Sequence, residues 1–365
     1  MRNGAWVGTQ RPIFVAIGGD SGSGKSTLAA GFYRIFPRDQ VTSVCLDDYH
    51  GLDRRERDLI GITALDPRAN NFALMENQLL ALRRGHAIVK PVYDHSRGAF
   101  GRPEAIEPRA VVIVQGLHPF LVPGVRGLFD LKVWLEPETE LMHRWKLQRD
   151  VARRGYTVDQ VHAQITAQEA AAAAYIAPQR RFADLIVRFS RRRGGGDGDE
   201  HLNVRIAERA TLPRLDLASV LREPCTGLRV QQGTDLGETI LEIDGTIDRD
   251  TARQLEDRIW EHFDARHQHL RHLSPEQFGD FTDDVMGQHH SDPLALVQLL
   301  LVHRILGASR SPLLEVAPRV QADLIRARKL QGKPFMMTGL TDHAAAARDA
   351  VGGRTVAVLE RSPGG

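Results

Sequence analysis

Ile13-Phe14-Val15-Ala16-Ile17 is an unbroken apolar run that opens into Gly18-Gly19, the pattern of a buried strand entering a glycine turn. Beyond the glycines, Leu28, Phe32, Ile35 and Phe36 recur at helical spacing and give one buried helix face. Apolar runs return at residues 41–46, 110–114, 131–135 and 185–189, and Phe72, Met75, Leu79 and Leu82 mark a further helix between them. Such alternation predicts an α/β fold: a mostly parallel, doubly wound sheet with helices on both faces and ligands at the carboxyl ends of its strands.

The alternation stops at Arg191-Arg192-Arg193-Gly194-Gly195-Gly196-Asp197-Gly198-Asp199, a charged, glycine-rich stretch that cannot bury a core face. Beyond it Leu202, Val204 and Ile206 alternate with polar residues, as do Leu228 and Val230, and residues 238–243 run into the turn dipeptide Asp244-Gly245. Helical periodicity returns at 251–263 and 293–306, and no internal repeat is found. The expected organisation is a core over 1–190, a Gly/Arg-rich loop over 191–200, a strand-rich C-terminal extension with terminal helices over 201–309, and an additional tail over 310–365.

At 365 residues the chain has room for about two structural units. Hydrophobic residues make up 42% and charged residues 26%, which excludes global disorder, collagen and a coiled-coil rod. Forty-eight Lys and Arg against 46 Asp and Glu leave a formal charge of +2, so no global field draws the protein to nucleic acid or an anionic membrane. The arginine run therefore reads as a solvated loop. No apolar run of membrane-spanning length or signal-peptide core occurs, which makes the cytoplasm the default. Two cysteines, Cys45 and Cys225, are too few for a disulfide framework or a four-thiolate zinc site, although one disulfide is arithmetically allowed.

Gly19-Asp20-Ser21-Gly22-Ser23-Gly24-Lys25-Ser26 matches the phosphate-binding pattern G-x-x-x-x-G-K-[ST], and it lies between a predicted strand and a predicted helix. Its glycines let backbone amides converge on phosphate oxygens at the positive end of the helix; Lys25 would neutralise the β- and γ-phosphates and Ser26 would offer its hydroxyl to Mg²⁺. A second cluster, Cys45-Leu46-Asp47-Asp48-Tyr49-His50, ends the next strand on the same rim. Its two carboxylates can serve as base and metal ligand, with His50 and Arg54 holding an anionic acceptor. A helix cap followed by a solvated loop of mixed charge, Asp53-Arg54-Arg55-Glu56-Arg57-Asp58, explains the same residues equally well.

Residues 111–114 form a strand that ends in Gln115-Gly116-Leu117-His118-Pro119, where a phosphate-loop protein usually delivers an acidic side chain towards Mg²⁺. An amide oxygen can coordinate but brings no charge. Finally, Arg144, Lys146, Arg149, Arg153 and Arg154 share one predicted helix, with Lys146, Arg149 and Arg153 at i, i+3, i+7. Such a cationic face suits a phosphorylated acceptor, and a solvent-facing helix with Asp150 and Glu140 as internal partners fits as well.

These strings, with Thr63-Ala64-Leu65-Asp66-Pro67-Arg68-Ala69-Asn70-Asn71-Phe72 and Gln148-Arg149-Asp150, together resemble the phosphoribulokinase and uridine kinase family of P-loop kinases, in its plant and cyanobacterial phosphoribulokinase type. The resemblance is strong over about 12–189 and detectable to about 307. It implies ATP- and Mg²⁺-dependent phosphorylation of D-ribulose 5-phosphate at its C1 hydroxyl, in the Calvin cycle of carbon fixation. It further implies that Asp47 is the catalytic base, acting with Lys25 and Arg149. Gly19, Asp20, Ser21, Gly22, Ser23, Gly24, Lys25, Ser26 and Thr27 would bind ATP, and His50, Arg54, Tyr93, His95, Lys146, Arg149 and Arg154 the sugar phosphate. Ser26, Asp47 and Gln115 would face the metal, and the helix at about 138–155 would be a closing lid. A small-molecule partner and a homodimer are expected, with neither nucleic acid nor membrane. A related kinase for another sugar phosphate or a nucleoside, or a nucleotide-binding paralogue without turnover, are the competing readings.

Two positions depart from the family pattern. Gln115 stands where a glutamate is expected before Gly-Leu-His, and Asp48 is the candidate to supply the missing charge. Ser23 replaces the phosphate-loop thiol that would partner Cys45, so no thioredoxin-type disulfide switch is expected.

Overall fold

Phe14 and Ala16 of the first strand pack on one side of a sheet, Val15 and Ile17 on the other, and all four are fully buried. Side chains alternate along a strand, so a continuous apolar run requires cover on both faces. The computed structural model describes residues 11–36, 39–192, 198–209, 211, 226–235, 237–273, 278–283 and 287–308. Residues 193–197 of the glycine run, Cys225 and the tail at 310–365 lie outside them.

Strand β1 (Ile13–Gly19) leads through the glycine loop into helix α1 (Lys25–Ile35), and β2 (Val41–Cys45) follows. A 3-10 turn over Leu46–Tyr49 precedes α2 (Arg54–Leu59) and α3 (Phe72–Arg83). Two small ribbons come next: β3 (Ile88–Lys90) and β4 (Tyr93–Asp94) pair with β6 (Glu104–Ile106) and β5 (Ala99–Phe100) respectively. The core closes with β7 (Val111–Gly116), α4 (Pro123–Arg126), β8 (Leu131–Leu135), α5 (Thr139–Arg154), α6 (Val158–Ala171) and β9 (Leu185–Ser190). Beyond it lie β10 (Asn203–Glu208), β11 (Leu228–Gln232), β12 (Thr239–Ile243) and α7 (Arg249–Glu261). The ribbon of β13 (Asp280–Asp283) and β14 (Gly287–His290), then α8 (Asp292–Ala308), complete the described chain.

One eight-stranded sheet runs β11-β12-β10-β9-β8-β1-β7-β2. Its strands from β9 to β2 are parallel, and β10, β12 and β11 continue it antiparallel. The expected strand-rich extension is thus built onto the core sheet, with Val204 of β10 opposite Phe189 of β9. β1 lies between β7 and β8, so the chain leaves its two sides in opposite directions; the loops after β1, β2 and β7 open a crevice at their carboxyl ends.

Leu28 and Phe32 of α1 share one buried cluster with Leu299 and Val302 of α8 and Leu255 and Ile259 of α7. Gln298 is fully buried; its Oε1 accepts the Gly279 N–H at 2.9 Å, and its carboxamide occupies the space a side chain on Gly31 would need. The short ribbons and α6 escape sequence periodicity because the ribbons span two or three residues and α6 buries only Val161. No helix among the described residues is long and apolar enough to cross a membrane.

Candidate active site

The first helix begins with no side-chain cap: Gly24 occupies the N-cap in a left-handed conformation, and the first turn carries no acidic residue. Its leading amides are therefore available to an anion. Gly22, at φ 82°, lies so close to α5 that a Cβ would stand 2.8 Å from both Lys146 Cβ and Met142 O. Only glycine tolerates both that conformation and that approach. Lys25 Nζ donates to Gly19 O (2.9 Å) and Asp20 O (2.7 Å), within the loop it serves. Burial lowers the pKa of this ammonium, and the carboxylates of Asp47 and Asp20 offset part of that effect.

A cavity of about 610 Å³ extends from this loop, lined by Ser21–Thr27, Asp47, His50, Arg54, Tyr93 and His95 and by Lys146, Arg149, Arg153 and Arg154. All seven expected acceptor residues therefore meet in it. Gly19 and Asp20 stay at the root of the loop, where the Asp20 carboxylate accepts the Ser21 N–H, and Gln115 ends β7 beside Gly116 without lining the cavity.

The two adjacent aspartates are divided between tasks. Asp47 faces the cavity and its Oδ1 accepts the Leu117 N–H at 3.0 Å. Burial alone would raise its pKa, but Lys25, His95, the Leu117 N–H and His50 outweigh that and hold it below the usual carboxylate range. Asp48 is buried and fully engaged, pairing with Lys90 Nζ and accepting the Tyr93 N–H at 2.8 Å. It braces β3 and β4 rather than replacing the charge absent at Gln115. Asp53 forms a capping box with Glu56 at the start of α2, so the helix-cap reading describes Asp53 and leaves Asp47 facing the cavity.

His50 is 4% exposed and its ring edge meets Tyr93 at 4.5 Å. Asn70 Nδ2 donates to Ala64 O and Asp66 O, which leaves Asn70 Oδ1 to accept from His50 Nδ1–H at 2.9 Å. Burial, then Arg57, pushes the imidazole down to about 4. A neutral His50 offers Nε2 as an acceptor for a hydroxyl and leaves the positive charge to the neighbouring cations.

Positive charge comes from elsewhere. Asp150, whose side chain is 0% exposed, gathers Lys146 Nζ (3.0 Å), Arg149 Nε (2.8 Å) and Arg154 Nη1 (3.2 Å). Arg149 Nη2 also reaches Ser21 Oγ at 3.0 Å, joining α5 to the phosphate loop. The converging set is therefore Lys146, Arg149 and Arg154, while Arg153 is exposed at the cavity mouth. Arg54 Nη2 is held by His95 O at 2.6 Å, with its guanidinium 5.4 Å from the Tyr156 ring centroid.

Sequence reasoning did not find Arg57, which donates to Leu52 O (2.7 Å) and Tyr93 Oη (2.9 Å), or the apolar end of the cavity. That end is formed by Trp145, Phe189, Leu202, Val204, Phe281 and Leu294, contributed by six separate elements or connections. The Trp145 ring lies 3.5 Å from where a Gly24 Cβ would be, and its Nε1–H donates to Asp199 at 2.6 Å.

Among the described residues no group of three or more His, Cys, Asp or Glu side chains converges as a metal site. A metal here would draw most of its ligands from phosphate oxygens and water, as Mg²⁺ does in nucleotide sites. Ser26, Asp47 and Gln115 offer only oxygen donors, and Gln115 Oε1 is buried without a hydrogen-bond partner, so the set fits Mg²⁺.

Residues 14–193 match the model of the phosphoribulokinase / uridine kinase family. A phosphoribulokinase of Synechocystis sp. is 35% identical over 293 residues, which are 75% of this chain and 85% of that protein. The chain belongs to this family. A chloroplastic phosphoribulokinase of Mesembryanthemum crystallinum is 33% identical over 325 residues, 79% of each protein. The solved phosphoribulokinase from Rhodobacter spheroides superposes with a TM-score of 0.53 at 20% identity, covering 72% of this chain and 99% of its own, and shares the kinase fold.

Proposed function

We propose that this kinase is a phosphoribulokinase, transferring the γ-phosphoryl group of ATP to the C1 hydroxyl of D-ribulose 5-phosphate to give ribulose 1,5-bisphosphate. One observation carries the reading: ionised Asp47 lies in a single cavity between the phosphate loop with Lys25 and the cationic set Lys146, Arg149 and Arg154. The loop amides and Lys25 hold the nucleotide phosphates, and the apolar end beside Trp145 takes the base. The sugar phosphate is gripped by Arg54, Arg154 and Lys146, with neutral His50 accepting from a sugar hydroxyl. Asp47 accepts the proton of the attacking C1 hydroxyl, and Arg149 spans the acceptor and the phosphate loop as charge shifts between them. Mg²⁺, held by Ser26, Asp47 and Gln115 Oε1 with the phosphates, would neutralise charge on the β- and γ-oxygens.

Among the described residues β11 is an edge strand with no further strand paired beyond β12, which supports a homodimer built on that edge. The unpaired thiol of Cys45 agrees with a reducing cytoplasm. A second reading follows from Gln115, whose amide brings no charge: a nucleotide-binding paralogue with weakened turnover.

The deciding experiment is conversion of ribulose 5-phosphate to the bisphosphate with Mg²⁺-ATP, in the native chain and in Gln115→Glu. Turnover by the native chain upholds the kinase with an amide at that position. Turnover by Gln115→Glu alone favours the weakened paralogue, and none from either rejects this acceptor.

A further inference from the structure

Leu117, His118, Pro119 and Phe120 carry the chain out of β7, and Gln179 lies beneath them at 1% exposure. In an ordinary turn the carbonyl of the first residue would accept from the amide of the fourth. Here a side chain is interposed: Gln179 Nε2 donates to Leu117 O at 2.9 Å, and Gln179 Oε1 accepts the Phe120 N–H at 2.9 Å. The second Nε2 proton goes to Tyr175 O at 2.9 Å, with His118 Nδ1 at 3.5 Å. Every strong donor and acceptor of the carboxamide is thereby used, which fixes its orientation.

Gln179 itself sits in a distorted stretch. Helix α6 passes into a π-helical turn over Ala172–Ile176 and then a 3-10 segment over Ala177–Phe182, a kind of irregularity that concentrates at functional sites. What this placement secures is the loop that presents the Leu117 N–H to Asp47 Oδ1. The same loop packs against β1, where a Cβ on Gly18 would meet Pro119 Cγ at 2.9 Å.

We propose that Gln179 is a positioning residue for phosphoryl transfer: its carboxamide, acting as an inserted peptide unit, sets the loop whose Leu117 N–H aims Asp47. The inference rests on the reading of Asp47 as the base. Gln179 does not line the cavity and acts only through Leu117 and Asp47. A buried glutamine that served stability alone would not distinguish catalysis from nucleotide binding, whereas an aiming role does.

The test uses the full chain with ATP and ribulose 5-phosphate. Gln179→Met keeps the volume and removes the hydrogen bonds; kcat should fall between roughly tenfold and a hundredfold, the scale of small misplacements at a reacting centre, with KM for ATP unchanged. Gln179→Asn, which retains the carboxamide one methylene short, should recover part of the loss, and it is read alone if Gln179→Met does not fold. Unchanged kcat, or loss of kcat and ATP affinity in equal measure, overturns the inference. Asp47→Asn separates the two failures: if it still turns over, the reading of the base has failed. If it is inactive while the Gln179 variants behave as native, only the aiming role has.

Discussion

A Cβ on Gly116 would stand 3.0 Å from Asp47 Oδ1 and 2.6 Å from Leu46 Cβ. The carboxylate thus occupies space that any other residue at 116 would claim. Gly116→Ala should displace Asp47 or the Leu46–Tyr49 turn and lower kcat by on the order of a hundredfold, with ATP affinity retained. Steady-state kinetics with an equilibrium ATP titration checks this, and native turnover would show that the turn yields at no cost.

Asp150 holds three cations with one buried carboxylate, so its removal leaves them mutually repelling. Asp150→Ala should cost about 3 kcal/mol of stability, the scale for stripping one partner from a buried ion pair, and raise KM for the sugar phosphate. Arg149→Ala should depress phosphoryl transfer more than ATP binding, because Arg149 meets the phosphate loop only through Ser21. Urea unfolding and paired KM measurements test both; equal loss of transfer and ATP binding removes Arg149 from its role.

The parallel core and its phosphate loop were legible because each strand is a continuous apolar run and the glycine string fits one motif. From the residues alone Asp47 was legible only as one of two carboxylates, and the family resemblance singled it out. The structure separates the pair through Lys90, 42 positions from Asp48, which engages Asp48 and leaves Asp47 to the cavity. Arg154 rather than Arg153 joins Lys146 and Arg149, because the set converges on Asp150 and Arg154 lies one helical turn beyond it, whereas a count of i, i+3, i+7 from Lys146 lands on Arg153. The wall at Trp145, Phe189 and Leu294 could not be read, since no local spacing links residues from separate elements. Gln179 gave no signal because its partners are backbone groups.

Unfolding should take up protons at mildly acid pH. His50 and His118 are both driven to about 4, chiefly by burial, against 6.5 in an unfolded chain. The unfolded chain therefore binds more protons between those values, and stability falls as pH is lowered from 6.5 towards 4. Glu256 opposes this: burial raises it to about 7 from 4.5, so it withdraws stability as pH rises across that range. Urea midpoints of the native chain and Glu256→Gln should diverge from pH 4.5 to 7, in favour of the variant and by on the order of 3 kcal/mol. A constant difference would place Glu256 in a solvated setting.

The Cys45 thiol should resist modification. Burial, with Asp47 and Asp48 adding to it, pushes its pKa up to about 12, so the reactive thiolate is scarce at neutral pH. In a Cys225→Ser background, folded protein should react with a thiol reagent far more slowly than unfolded protein, and mild oxidation should leave activity intact. A large loss of activity reversed by dithiothreitol would establish a redox switch.

Gly22 leaves no gap between the phosphate loop and α5, and Arg149 bolts the two together at Ser21. A loop roofed in this way works as a latch. On the proposed reading, α5 has to part from the loop for nucleotide to enter and for ADP to leave. Residence time would then follow that parting, so the pace of the catalytic cycle should respond to solvent viscosity even where the chemistry is fast.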